Sequence, residues 1–165
     1  MQNAEPILVV TTGGTIDKQY FDALSEHQVA ATMVPRMFEL ASVAQPFEMV
    51  ELMQKDSLEL ADVDRSLILE TVLKSRSTRV VITHGTDTMT TTARVLEAVT
   101  GKTIVLVGAL APARFSESDA SFNLGMAFAT VQAAPAGIYI AMNGTVFPAG
   151  KVEKDREQGS FIWTG

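Results

Sequence analysis

The chain has 165 residues, 47% of them hydrophobic, and its 13 basic and 19 acidic side chains leave a formal charge of −6. That length predicts one domain whose core needs no metal or disulfide staple, and the acidic balance argues against a nucleic-acid face. With no cysteine there is no disulfide framework, no thiol nucleophile and no Cys-based zinc site.

Met1 to Pro6 is polar and lacks a basic stretch ahead of an apolar one, so it does not read as a secretory signal. No apolar run approaches the roughly 18 residues needed to span a bilayer. The expectation is a soluble, cytoplasmic protein that meets neither nucleic acid nor membrane. In chain order, the first apolar run is Ile7–Val10, followed by Thr11-Thr12-Gly13-Gly14-Thr15-Ile16-Asp17. Phe47–Leu52 alternates more and reads as a strand nearer an edge, followed by Asp56-Ser57. Asp62 can cap a helix running to about Ser75, with Val63, Leu67 and Leu73 near one face.

The second unbroken run, Arg79–Thr83, leads into His84-Gly85-Thr86-Asp87-Thr88-Met89. A helix from Asp87 to about Val99 presents Met89, Ala93, Leu96 and Val99 on one side. The third run, Thr103–Val107, precedes Gly108-Ala109-Leu110-Ala111-Pro112. A small, apolar helix from Ser121 to about Ala134 offers Phe122, Gly125, Met126 and Ala129 for packing on a sheet. The fourth run, Gly137–Met142, ends in Asn143-Gly144-Thr145, and Lys151–Gly165 is charged first and then apolar. Val- and Ile-rich runs without polar alternation are expected of strands buried on both faces. Alternating with helices, they predict an α/β fold with a parallel sheet flanked by helices.

Ligands of such sheets sit beyond the carboxyl ends of the strands, so the loops carry the chemistry. In Thr12-Gly13-Gly14-Thr15 the glycines let backbone approach a ligand and offer N–H groups to a developing anion, while the hydroxyls can attack a carbonyl. The same residues would also make a plain strand-to-helix turn. No dinucleotide fingerprint and no phosphate-loop lysine is present. Asp87 reads either as a helix N-cap or as a grip on a substrate ammonium, with Thr86 beside it. His84 is fixed next to its own strand, and with His27 as the only other histidine no metal-ligand spacing emerges.

Thr12-Gly13-Gly14-Thr15-Ile16 followed by His84-Gly85-Thr86-Asp87-Thr88-Met89 resembles the two signatures of bacterial-type L-asparaginases. The resemblance extends through Gly108–Pro112, Ser118-Asp119-Ala120, Phe122-Asn123-Leu124 and Met142–Val146. It covers that family's larger N-terminal domain, a three-layer, Rossmann- or flavodoxin-like unit, here expected over residues 1–165 without the family's C-terminal domain. It implies hydrolysis of the side-chain amide of asparagine, or a related small amide, to the acid and ammonia, with a threonine nucleophile and no cofactor or metal.

By that resemblance, Thr12 and Thr86 are the two catalytic threonines, and Asp87 binds the substrate amino group beside a catalytic lysine, Lys154. Read alone, Lys154 belongs to a solvated charge run; drawn out of water beside Asp and Thr, a lysine can act as a base because desolvation disfavours its charged form. Tyr20 matches the mobile-loop tyrosine, or else packs beside Phe21. Ser57 matches the serine that holds the substrate carboxylate, or else caps a turn; Gly13, Thr15 and Gly85 complete the substrate-binding set. The family usually has a polar residue after Ser57, where this chain has Leu58, which donates no hydrogen bond. Two alternatives follow: an asparaginase-like module that binds a small ligand with little turnover, and the amide-hydrolysing component of a tRNA-dependent amidotransferase, against which the −6 charge counts. Apolar surface that a second domain covers in relatives predicts a homodimer.

Overall fold

The computed structural model describes residues 4–165; Met1 to Asn3, part of the polar N-terminus read above, lie outside the described residues. Six strands form the main sheet: β1 (Ile7–Gly13), β4 (Phe47–Lys55), β5 (Arg79–Thr83), β6 (Thr103–Val107), β7 (Gly137–Met142) and β8 (Thr145–Pro148). Their order is β4-β1-β5-β6-β7-β8, parallel except for β8, which returns antiparallel along β7. Two short hairpins stand outside the sheet, β2 (Lys18–Phe21) with β3 (Glu26–Val29), and β9 (Val152–Asp155) with β10 (Ser160–Trp163). The helices are α1 (Val34–Leu40), α2 (Asp62–Lys74), α3 (Met89–Leu96) and α4 (Ala120–Ala133). None is long and apolar enough to cross a membrane.

The predicted α/β architecture is present, and its layers follow from strand alternation. Leu8, Val10, Val80, Ile82, Ile104, Leu106 and Ile140 point to the side covered by α2 and α3. Ile7, Val9, Val81, Val105 and Val107 point to the other side, against α1 and α4. Helices on both faces leave no place for polar alternation, which is why these strands read as unbroken runs.

Two expectations need correction. In α2, Val63, Leu67 and Leu73 are exposed, and Ile68 and Val72 reach the core instead. The apolar residues of this helix are spread around its circumference, so spacing alone does not single out the inward face. In α4, Ala120, Asn123, Leu124, Ala127, Phe128 and Val131 face inward, while Phe122 is 67% exposed and Gly125 and Ala129 lie on the outside. That helix has no charged residue, so nothing in the sequence marks its wet side. Asn143 and Gly144, both with positive φ, 53° and 68°, make the tight turn that joins β7 to β8.

Candidate active site

Taken in chain order, the five parallel strands lie in the arrangement 2-1-3-4-5. The order reverses between β1 and β5, and in such sheets the ligand crevice opens there, at the carboxyl ends. Thr12 and Thr86 stand at those two strand ends. The register of β1 against β4 jumps from Thr11 opposite Glu51 to Gly13 opposite Lys55, so Thr12 sits at an irregularity rather than in the regular ladder. Its hydroxyl is buried and donates to the Thr83 carbonyl on β5 at 2.8 Å.

Glycine packing draws the loops together. A Cβ on Gly14 would lie 2.5 Å from the Gly85 backbone, and one on Gly85 would lie 2.6 Å from Ser57 Cβ. Gly14 also has φ of 86°, a conformation that side chains resist. Three segments (the first threonine loop, the second, and the turn bearing Ser57) therefore touch through positions where a methyl group would collide. Thr15 begins a short 3-10 turn, Thr15–Asp17, and is half-buried, while Gly13 lies against the Lys55 backbone. Ser57 is buried in a 3-10 turn, Ser57–Glu59, that is capped by Asp56 rather than by Ser57. The Thr88 hydroxyl fastens this turn by donating to the Ser57 carbonyl at 2.7 Å. Leu58 is exposed at its surface.

Lys154 reaches the second threonine loop from β9. Its ammonium donates to Thr86 Oγ1 at 2.8 Å and to Asp87 Oδ1 at 2.6 Å. Asp87 is not the N-cap of α3; that position is Thr88, which frees the carboxylate for Lys154. Arg156 Nε stands 3.9 Å from the same oxygen. The Lys154 side chain is only 15% exposed, so the charge run Lys151–Glu157 is not uniformly solvated. What turns Lys154 inward is the β9–β10 hairpin: Lys154 pairs with Phe161, whose side chain is buried and whose N–H donates to Asn143 Oδ1 at 2.8 Å.

Tyr20 lies on the β2–β3 hairpin and is 47% exposed, its ring 5.1 Å from that of His27, which in turn meets Phe115 at 5.5 Å. Among the described residues no hydrogen bond ties it to Thr12. His84 is fully buried, and desolvation drives its pKa down to about 4, with Arg65 adding repulsion and the Gly85 hydrogen bond opposing both. No group of three His, Asp or Glu side chains among the described residues is placed to hold a metal ion.

Sequence reasoning missed several supports. Asp17 is buried, which raises its pKa, and it accepts the Met33 N–H at 2.9 Å and the Thr32 hydroxyl at 3.2 Å, tying down the base of the hairpin. Asp119 accepts the Leu110 and Ala111 N–H groups, and Asn123 donates to the Gly108 carbonyl at 3.0 Å. The Ser118-Asp119 and Phe122-Asn123 stretches thus fix the loop after β6.

The model of the family described as Asparaginase, N-terminal, matches residues 6–160. The chain belongs to the asparaginase family. This asparaginase-family chain is 32% identical over 162 residues to the glutaminase-asparaginase of Acinetobacter glutaminasificans, covering 90% of itself and 49% of that protein. It is 30% identical over 148 residues to a glutamyl-tRNA(Gln) amidotransferase component from Pyrococcus abyssi, covering 84% of itself and 33% of that protein. The thermostable L-asparaginase from Thermococcus kodakarensis has the same fold, with a TM-score of 0.82 at 27% identity over 96% of this chain and 51% of that one. The asparaginase-family chain spans about half the length of the glutaminase-asparaginases it matches.

Proposed function

We propose that this chain is an amidohydrolase that cleaves the side-chain amide of asparagine, or a related small amide such as glutamine, through a threonine nucleophile. The observation that carries this reading is the Lys154–Thr86–Asp87 cluster at the switch point of the sheet. As an ammonium, Lys154 donates to both partners. As a neutral amine it reverses the bond to Thr86 and takes the hydroxyl proton, so that one group serves as base and then as acid.

A threonine oxygen bonds to the amide carbon and Lys154 holds the proton released. The tetrahedral intermediate collapses when that proton reaches the amide nitrogen, and ammonia leaves. Water then attacks the acyl ester and gives its proton to the same amine, which passes it to the threonine oxygen as the acyl C–O bond breaks, freeing the carboxylic acid and restoring the hydroxyl. Thr12 and Thr86 differ in their proton partners: Thr86 faces a base, whereas Thr12 faces the Thr83 carbonyl and keeps its lone pairs for attack. Backbone N–H groups of the glycine loops stabilise the oxyanion, and losing one such donor costs about 10²–10³ in rate. Ser57 and Asp87 suit the carboxylate and ammonium of an amino acid, and Tyr20 assists Thr12 from the hairpin. The domain acts without cofactor.

Ammonia release from asparagine, glutamine and small amides tests this reading. Wild type is expected to turn over at least one of them, and Thr12→Ala and Thr86→Ala are each expected to abolish turnover. Activity that survives both substitutions overturns the assignment. Binding of aspartate or asparagine with no ammonia produced would support the module that holds a ligand without turnover. We also propose that the domain assembles as a homodimer, supported by the uncharged α4 and its outward Phe122.

A further inference from the structure

Behind the site, α2 carries a charge where a helix normally sets an apolar residue against its sheet. Arg65 is buried, and the acidic side chain nearest its guanidinium is the exposed Asp62 at 4.0 Å. An arginine removed from water in this way is stabilised chiefly by what it donates to. Its NH1 donates to the Leu60 carbonyl at 3.0 Å and its Nε to Thr92 Oγ1 at 3.2 Å.

The direction of every bond beyond Thr92 is fixed by chemistry. His84 Nδ1 lies 2.6 Å from the Gly85 carbonyl, which can only accept, so Nδ1 carries the proton. In the neutral ring that burial enforces, the other nitrogen, Nε2, is bare and accepts a hydrogen bond from the Thr92 hydroxyl at 2.7 Å. Thr92 donates its hydroxyl hydrogen bond to histidine and uses its oxygen to accept from Arg65. The relay runs one way: Arg65 to Thr92, Thr92 to His84, His84 to Gly85.

Its end matters because Gly85 precedes Thr86. Pulling the Gly85 carbonyl toward the buried imidazole orients the whole peptide plane, and in a trans peptide the following N–H points the opposite way. The Thr86 N–H is thereby turned away from the imidazole. Meanwhile Leu60 closes the turn that bears Ser57, its N–H donating to the Ser57 carbonyl at 3.4 Å. One guanidinium thus holds the Ser57 turn directly and the Gly85–Thr86 peptide through two side chains. We propose that Arg65 is a positioning residue that sets Thr86 against Ser57 for the amide hydrolysis inferred above, a role that rests on that reading. Neither Arg65, Thr92 nor His84 touches substrate in this scheme.

The test uses the full chain with Thr92→Val, which keeps the shape and removes the hydroxyl, Thr92→Ser, which keeps the hydroxyl, and Arg65→Met. Long-range 1H–15N spectra of wild type are expected to show His84 protonated at Nδ1 and a hydrogen-bonded Nε2. In Thr92→Val the Nε2 resonance moves to that of a free acceptor, and in Thr92→Ser it stays. For ammonia release, kcat is expected to fall at least roughly tenfold in Thr92→Val and in Arg65→Met, with Thr92→Ser near wild type. The double variant should be little worse than either single one, because both break the same chain. An unmoved Nε2 resonance together with unchanged kcat in Thr92→Val overturns the proposal. If wild type releases no ammonia, the amidohydrolase reading fails, while the ring resonances and a double-mutant cycle in urea unfolding still decide the relay. Additive losses in that cycle overturn it.

Discussion

His84 is neutral in the folded protein because its burial leaves no room for a charge, and that has a measurable consequence. Its pKa is lowered to about 4 by desolvation, from an ordinary value of 6.5. Between those two pH values the unfolded chain binds a proton that the folded chain does not, so stability rises with pH across the window. From pH 7 down to 4 this one group should remove about 3 kcal/mol, a magnitude set by roughly 1.4 kcal/mol for each pKa unit. Urea unfolding at a series of pH values checks this against His84→Gln, in which the slope between pH 6.5 and 5 should flatten. Equal slopes in the two proteins would contradict it. The sequence placed His84 beside its strand but could not show what its ring bonds to, since Arg65 and Thr92 arrive from helices 19 and 8 positions away. A charged residue in a helical stretch normally lies on the solvated face, so Arg65 gave no sign of its burial. Asp87 was legible as one of two roles, and the position of Thr88 as N-cap removes the capping one.

Among the elements, unbroken Val and Ile runs located the strands closely, because burial on both faces leaves a pattern that neighbouring residues cannot imitate. Arg79–Thr83, Thr103–Val107 and Gly137–Met142 match their predicted limits, while β1 continues through Thr11 and Thr12 to Gly13. Helix faces were less legible. The outer side of α4 shows why, and it also carries a prediction. Gly125, Ala129 and Ser121 line an apolar groove of about 410 Å³ between α4 and α1, with Leu40, Ala41 and Val43 opposite. An outer helix face without charge, with Phe122 exposed beside an apolar groove, is expected to be covered by a partner. Light scattering should therefore give about twice the 17.8 kDa mass of one chain, and Ala129→Glu should shift the mass toward one chain. A wild-type mass of one chain across working concentrations would contradict the dimer.

At the scale of the molecule, the fold brings distant stretches of sequence to one sheet edge. Thr12 and Thr86 arrive at adjacent strand ends, and Lys154 follows 68 residues after Thr86 on a hairpin outside the sheet. The resemblance to asparaginases named these residues, and residue pattern alone would have left Lys154 in a solvated charge run. Its placement depends on Phe161 and Asn143, contacts that no local periodicity announces. Central to the proposed mechanism is that Lys154 moves the proton for amide cleavage. Steady-state ammonia release by Lys154→Met, beside wild type and on the best amide substrate, measures this directly. The expected result is a fall in kcat of about 10²–10⁴, the usual worth of a general base, in a protein that still folds. A Lys154→Met enzyme with wild-type kcat would contradict it.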